Sequence, residues 1–239
     1  MATTRKELKE QARDQLRGNW SWAVLLSFVG WLIVYILTDI ENFFEEGEDI
    51  VYGIVRRFGN NAELMYLDKV RVNPFAWLIT LVVSVAIGLI TWGVIYTILH
   101  FRDSGTKENV LSGIFSPFTR NFKSNFLTYI LYEIFLILWT WLLIIPGLIK
   151  AYSYAMTPYI LRDMLDSGHE PTAATEAISA SRKLMDGHKM DLFIFDLSFI
   201  GWWLLGIISC GIGLLWVNPY YRQAKANFYR NLAGEQFAK

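Results

Sequence analysis

Residues Ile145 to Asp163 read IPGLIKAYSYAMTPYILRD, and this stretch decides the fold. Pro146 and Gly147 interrupt the apolar run WTWLLII before them. A mostly apolar segment then leads away, carrying one lysine, Lys150. Proline removes a backbone donor and glycine frees the backbone, so the pair predicts a sharp turn between two membrane-crossing limbs, 126–145 and 148–161. Pro158 adds a break or kink in the second limb.

Outward from this hairpin the chain stays apolar. It has 239 residues, 54% hydrophobic and 16% aromatic, with 18% charged. Soluble domains carry about 25% charged residues. The deficit is concentrated in long uncharged runs, which marks a multi-span membrane protein. Formal net charge is +0, so nothing points to nucleic acid. Cys210 is the single cysteine, which excludes an internal disulfide. Within IISCGIG it reads as a small buried apolar residue.

Residues 4–18 predict an amphipathic helix ending at Gly18, with Leu8, Ala12 and Leu16 on one face. Arg5, Lys6, Lys9, Arg13 and Arg17 place this end in the cytoplasm, on an anionic membrane surface. A span follows at 20–38, retained because no cleavage site ends it. Residues 39–73 predict an external loop, with Glu41, Glu45, Glu46, Glu48 and Asp49 clustered. It reads as a solvated loop, with binding of a cation or basic peptide as the alternative. The second span is 74–101, and 102–125 are cytoplasmic. Residues 162–190 are cytoplasmic again, and Pro171 is placed to open a helix over 171–184 whose face of Ala174, Ile178 and Ser181 packs closely.

The last apolar run, Leu192 to Val217, reads as one long span or as a hairpin broken at Gly211 and Gly213, with limbs 191–210 and 213–230. An internal repeat favours the hairpin. ARDQLRGNWSWAVLLSFVGW, from Ala12, matches SRKLMDGHKMDLFIFDLSFIGW, from Ser181. RNFKSNFLTYILYEIF is a weaker copy, and IPGLIKAYSYAMTPY parallels GIGLLWVNPYY on the return side. The expected fold class is therefore all-α: a single polytopic membrane domain of about six spans. They form three units, each a surface helix plus a transmembrane hairpin, with both termini cytoplasmic. Pro219 is a further breaking position.

The IPG turn with Lys150, the triplet Thr157-Pro158-Tyr159, AISASRKLMDGHK, FDLSFIGWW, and GIGLLWVNPY before a tail ending FYRNL resemble one family. It is an uncharacterised family of bacterial integral membrane proteins, mainly Gram-positive, catalogued as a domain of unknown function. The resemblance covers nearly the whole chain apart from the acidic segment at 39–73. It implies a bacterial plasma membrane and no particular activity.

Ionisable residues at membrane depth are the default functional candidates. Here they are Glu133, Lys150 and Asp196, with Arg162 expected opposite Glu133, and Arg222 or Lys225 opposite Asp196. They are either paired ions locking each hairpin or the lining of a polar cavity for a lipid headgroup, a proton or a small solute. Lys150 is expected to reach the outer interface, where it would meet an anion or lipid phosphate. No catalytic, metal or cofactor motif is present: His100, His169 and His188 lie far apart, and GxSxG and P-loop spacings are missing. The expected function is binding without catalysis, as a scaffold or accessory factor for envelope lipids or membrane proteins. A solute transporter or lipid flippase is the alternative. Expected partners are membrane lipids, a protein at the cytoplasmic helices, and a second copy through Gly201, Gly206 and Gly211.

Overall fold

The computed structural model describes residues 4–58, 74–234, 236 and 237, and every regular element among them is a helix. In chain order these are α1 (Arg5–Leu16), α2 (Trp20–Phe58), α3 (Pro74–Ser104), α4 (Val110–Ile114), α5 (Ser116–Thr119) and α6 (Phe122–Leu142). Then come α7 (Ile144–Tyr154), α8 (Thr157–Asp166), α9 (Glu176–Leu184), α10 (Lys189–Leu197), α11 (Ile200–Ile208) and α12 (Leu214–Ala233). Two compact units divide the chain, residues 31–88 and the remainder.

Among the described residues, four stretches are long and apolar enough to cross a membrane: Trp20–Ile40, Leu78–Ser104, Phe122–Leu142 and Lys189–Ile208. Their outward side chains are large and apolar; Trp141 is 88% exposed, and Ile137, Leu138 and Ile207 are also uncovered. An aqueous protein does not expose such a surface, whereas acyl chains cover it without cost. The return limbs expected at 148–161 and 213–230 are not among the four. The first is divided between α7 and α8, and the second is too polar.

The helix that starts at Trp20 does not stop at residue 38. It runs unbroken to Phe58, so the first part of the segment expected as an external loop is helical. Glutamate is a good helix former, and no proline interrupts the stretch. Residues 59–73, the rest of that loop, lie outside the described residues. Trp31 and Tyr35 stack one turn apart on α2.

In the larger unit, α1 forms as its sequence predicts. Thr4 caps it, with reciprocal bonds between Thr4 and Glu7, and Gly18 takes the left-handed backbone just past its end. Its stripe of Leu8, Ala12 and Leu16 is fully buried, but against α12 and not on a membrane surface. Gln15 accepts hydrogen bonds from Gln223 and Asn227 across this contact. Gly93 on α3 lets α4 approach closely: a Cβ there would lie 1.9 Å from the Ile114 carbonyl oxygen.

The first hairpin bends three residues earlier than its sequence suggests. Leu143 is extended (φ −165°, ψ 140°), and Pro146 sits within the first turn of α7, where a missing N–H costs nothing. Gly147 serves the crossing instead: a Cβ there would meet the Thr140 Cα at 2.8 Å. The break between α7 and α8 falls at Ala155 and Met156, just ahead of Pro158. Ser181 of α9 fills it. Its hydroxyl donates to the Ser153 carbonyl (2.9 Å) and accepts the Met156 N–H (3.2 Å). Helix α9 itself begins at Glu176, not at Pro171, and buries Ala177, Ile178 and Ser181 against α7 and α8.

The last apolar run is a hairpin. A turn through Gly211 (φ +86°) reverses the chain, and α12 packs back on α11, where Gly206 meets Leu214. Cys210 lies in this turn with φ +55° and is exposed, contrary to the buried place its apolar context suggests. Pro219 does not break α12, which continues through it. Of the three glycines expected at a self-contact, Gly206 and Gly211 serve this hairpin, while Gly201 faces open space.

Candidate functional site

The three intramembrane candidates do not converge. They occupy three places, each with its own electrostatics.

Glu133, on α6, is half-buried beside Tyr129 and Tyr132. Arg162 does not answer it. The Arg162 Nε lies 2.7 Å from Asp166 Oδ2, one turn along α8, and the guanidinium stands over the Tyr96 ring at 5.5 Å. That N–H points away from the carboxylate oxygen, so the contact is a charge pair without a hydrogen bond. The break at Met156 turns α8 away from the course a straight return limb would follow, and the expected pairing goes with it.

Asp196, on α10, accepts a hydrogen bond from the Tyr221 hydroxyl (2.9 Å). Lys225 Nζ donates to the same hydroxyl (3.2 Å). The expected carboxylate–lysine pair is thus relayed through a tyrosine. Tyr152 lies near Asp196 as well. Arg222 faces Tyr159 and Tyr221, and its buried Nη1 has no hydrogen-bond partner among the described residues.

Sequence reasoning missed a further cluster. Arg230, near the end of α12, grips Asp163 with two parallel bonds, Nη1 to Oδ2 (2.7 Å) and Nη2 to Oδ1 (2.9 Å). It reaches Asp103 at the end of α3 through Nη2 and through Nε (3.2 Å). The Tyr229 hydroxyl completes Asp163 at 2.5 Å. Two carboxylates on separate helices therefore share one guanidinium. The tail FYRNL and the acid pair Asp163 and Asp166 were visible signals, but nothing in the sequence aligned them.

Lys150 stands in the most open of these places. A cavity of about 390 Å³ is lined by Lys150 and Ser153 of α7, Ser179, Arg182 and Lys183 of α9, and Asp186 and Lys189 at the start of α10. Four cations meet one carboxylate. Asp186 lies 3.6 Å from Lys189 and is itself largely exposed. Lys150, Arg182 and Lys183 have no ion-pair partner among the described residues. The Lys150 Nζ also sits over the Trp139 ring, 4.3 Å from its centre. Lys150 thus does not stand alone at an outer turn but shares one cavity with residues of the polar segment 162–190. Such a cluster attracts an anion.

A second cavity, about 490 Å³, is apolar. Trp20, Trp202, Trp216 and Tyr220 line it, and Arg13 is its one charged wall residue.

Helical hairpins sheathed in exposed apolar side chains define an all-α polytopic membrane protein. The model of the family described as "protein of unknown function (DUF975)" matches residues 1–153 and 141–236, and the chain belongs to that family. No curated protein and no solved structure matches it.

Proposed function

We propose that this protein acts by binding and not by catalysis, as a scaffold or accessory factor for anionic lipids or membrane proteins of the bacterial envelope. One observation carries the reading: Lys150, Arg182, Lys183 and Lys189 converge from three helices on a single cavity with one carboxylate among them. Like charges held together repel one another, and a bound anion relieves that cost. The N-terminal helix loses the docking role its sequence suggested, because its apolar stripe is occupied by α12. The exposed face of α9 keeps it. We place both chain ends in the cytoplasm: α1 and the far half of α12 lie side by side, and α1 carries the basic residues of that end.

A second reading, transport of a small solute or lipid, is favoured by the Asp196–Tyr221–Lys225 relay beside an unsatisfied Arg222. Buried polar networks of this kind line conduction paths in transporters. The protein purified in mild detergent and analysed by native mass spectrometry separates the two. A retained lipid or stoichiometric protein, lost when Lys150 or the α9 face is altered, supports binding. A flux in vesicles that stops with Asp196→Asn, with nothing retained, replaces it with transport.

A further inference from the structure

We infer that the Lys150 cavity holds the headgroup of a membrane lipid whose phosphate carries at least two negative charges, a phosphomonoester or a diphosphate. The inference rests on the binding reading above and names its ligand class.

Charge comes first. Four cations against one carboxylate leave three uncompensated positive charges around the cavity. A phosphodiester brings one negative charge and leaves most of the repulsion in place. A phosphomonoester or diphosphate removes most of it. Local helix geometry explains only part of the cluster. Arg182 and Lys183 occupy the last turn of α9, where the helix dipole favours cations. Lys189 is the first residue of α10, where the dipole disfavours one. Lys150 comes from mid-α7. Those two positions are intelligible if the cavity is built for an anion.

Chemistry and size agree. Arg182 offers the planar fork that matches phosphate oxygens, and the lysines add mobile point charges. The Ser179 hydroxyl at the wall adds a neutral donor. A volume of about 390 Å³ falls within the roughly 300–1,000 Å³ of small-molecule sites, more room than inorganic phosphate fills.

The surroundings select a lipid over a soluble phosphate. Leu148 and Ile149, immediately before Lys150, are exposed, and so are Met190 and Phe193, just after Lys189. Acyl chains hanging from a headgroup in the cavity would cover these side chains. Trp139, under the Lys150 ammonium, is the residue type that sits at headgroup level.

The test is native mass spectrometry of the full chain in detergent. It is titrated with dioleoyl phosphatidic acid, with the phosphodiester dioleoyl phosphatidylglycerol, and with inorganic pyrophosphate. Phosphatidic acid should be retained about tenfold more than phosphatidylglycerol, the scale of one charge-assisted hydrogen bond. Lys150→Ala and Arg182→Gln should each remove that preference, and Asp186→Asn should keep or increase it. Lys183→Gln stands in for either variant that fails to elute as a folded monodisperse species. Equal retention of the two lipids overturns the inference, as does a preference that survives all three cation substitutions. Pyrophosphate binding with no lipid retained overturns the lipid assignment. A neutral lipid or protein partner retained without any phosphate preference sinks the ligand class but leaves the binding reading standing. Retention of nothing, with a flux that needs Asp196, removes both.

Discussion

Arg230 and Lys150 are both cations on helices of the same unit, and their surroundings are opposite. Arg230 is 9% exposed and has two carboxylates gripping it, with a tyrosine hydroxyl completing one of them. Lys150 has three other cations around its cavity and a single carboxylate, Asp186, which pairs with Lys189. Matched charge binds α3, α8 and α12 to one another. Unmatched charge contributes nothing to holding α7, α9 and α10 together, and tends to push them apart. The relay at Asp196 falls between these extremes: a carboxylate and an ammonium share a hydroxyl, and an arginine beside them is left partly unsatisfied. The comparison teaches that a buried charge in this protein is a structural element where it is paired and a candidate site where it is not.

The strongest way to break that distinction is Arg230→Ala. It leaves Asp163 buried without its cation, and removing one partner of a buried pair costs about 3–5 kcal/mol. Thermal unfolding in detergent should show a large loss. Any lipid preference of the folded fraction should be unchanged, because Arg230 does not line the Lys150 cavity. A variant as stable as the parent would show that the paired cluster is not structural.

Tyr221→Phe probes the intermediate case. The ring stays packed against Phe195 and Phe199, and only the bridging hydroxyl goes. Asp196 then loses one donor and Lys225 its acceptor, for which about 1–3 kcal/mol is the expected cost. The same unfolding assay reads it, and the loss should be smaller than that of Arg230→Ala.

Arg182→Gln goes the other way. It removes a cation from an over-charged cavity and breaks no ion pair among the described residues. The lipid-free protein should gain a few tenths of a kcal/mol, the scale of like-charge contacts on helices. Raising the salt concentration should narrow the gap to the parent, since screening relieves the same repulsion. A clear loss of stability would mean that Arg182 has a structural partner and that the contrast with Arg230 is false.

Four of the six expected spans, and Ile178 and Ser181 of the α9 face, were legible because they depend on local pattern: long apolar runs and helical spacing. The pairing of charges was not. Arg162 was set against Glu133 by counting residues from the turn, which assumes a straight return limb. Leu143, not Pro146, makes the bend, and the chain breaks again at Met156, so the count lost its register. Arg230, Asp163 and Asp103 lie on three helices whose relative placement no single segment encodes. The course of α2 past Ile40 was obscured by its acidic residues, which read as loop although they are compatible with helix.

Helix α9 contains the comparison in miniature, and its N-terminal end gives the smallest effect. Glu176 accepts hydrogen bonds from His169 Nε2 (2.9 Å) and from the Thr172 N–H (2.9 Å), at an end where the helix dipole also favours an acid. The His169 bond outweighs burial, and together with the Thr172 bond it holds the Glu176 carboxyl below its ordinary range. A carboxylate whose pKa is lower folded than unfolded stabilises the fold above the unfolded value. That contribution disappears as the pH falls through the folded one. Both side chains are partly solvated, so the effect is a slight drop in unfolding temperature on acidification below the usual glutamate range. Glu176→Gln should abolish that acid limb, leave neutral-pH stability almost unchanged, and have no influence on the preference for phosphatidic acid. An acid limb that survives the substitution would show that Glu176 is not its source.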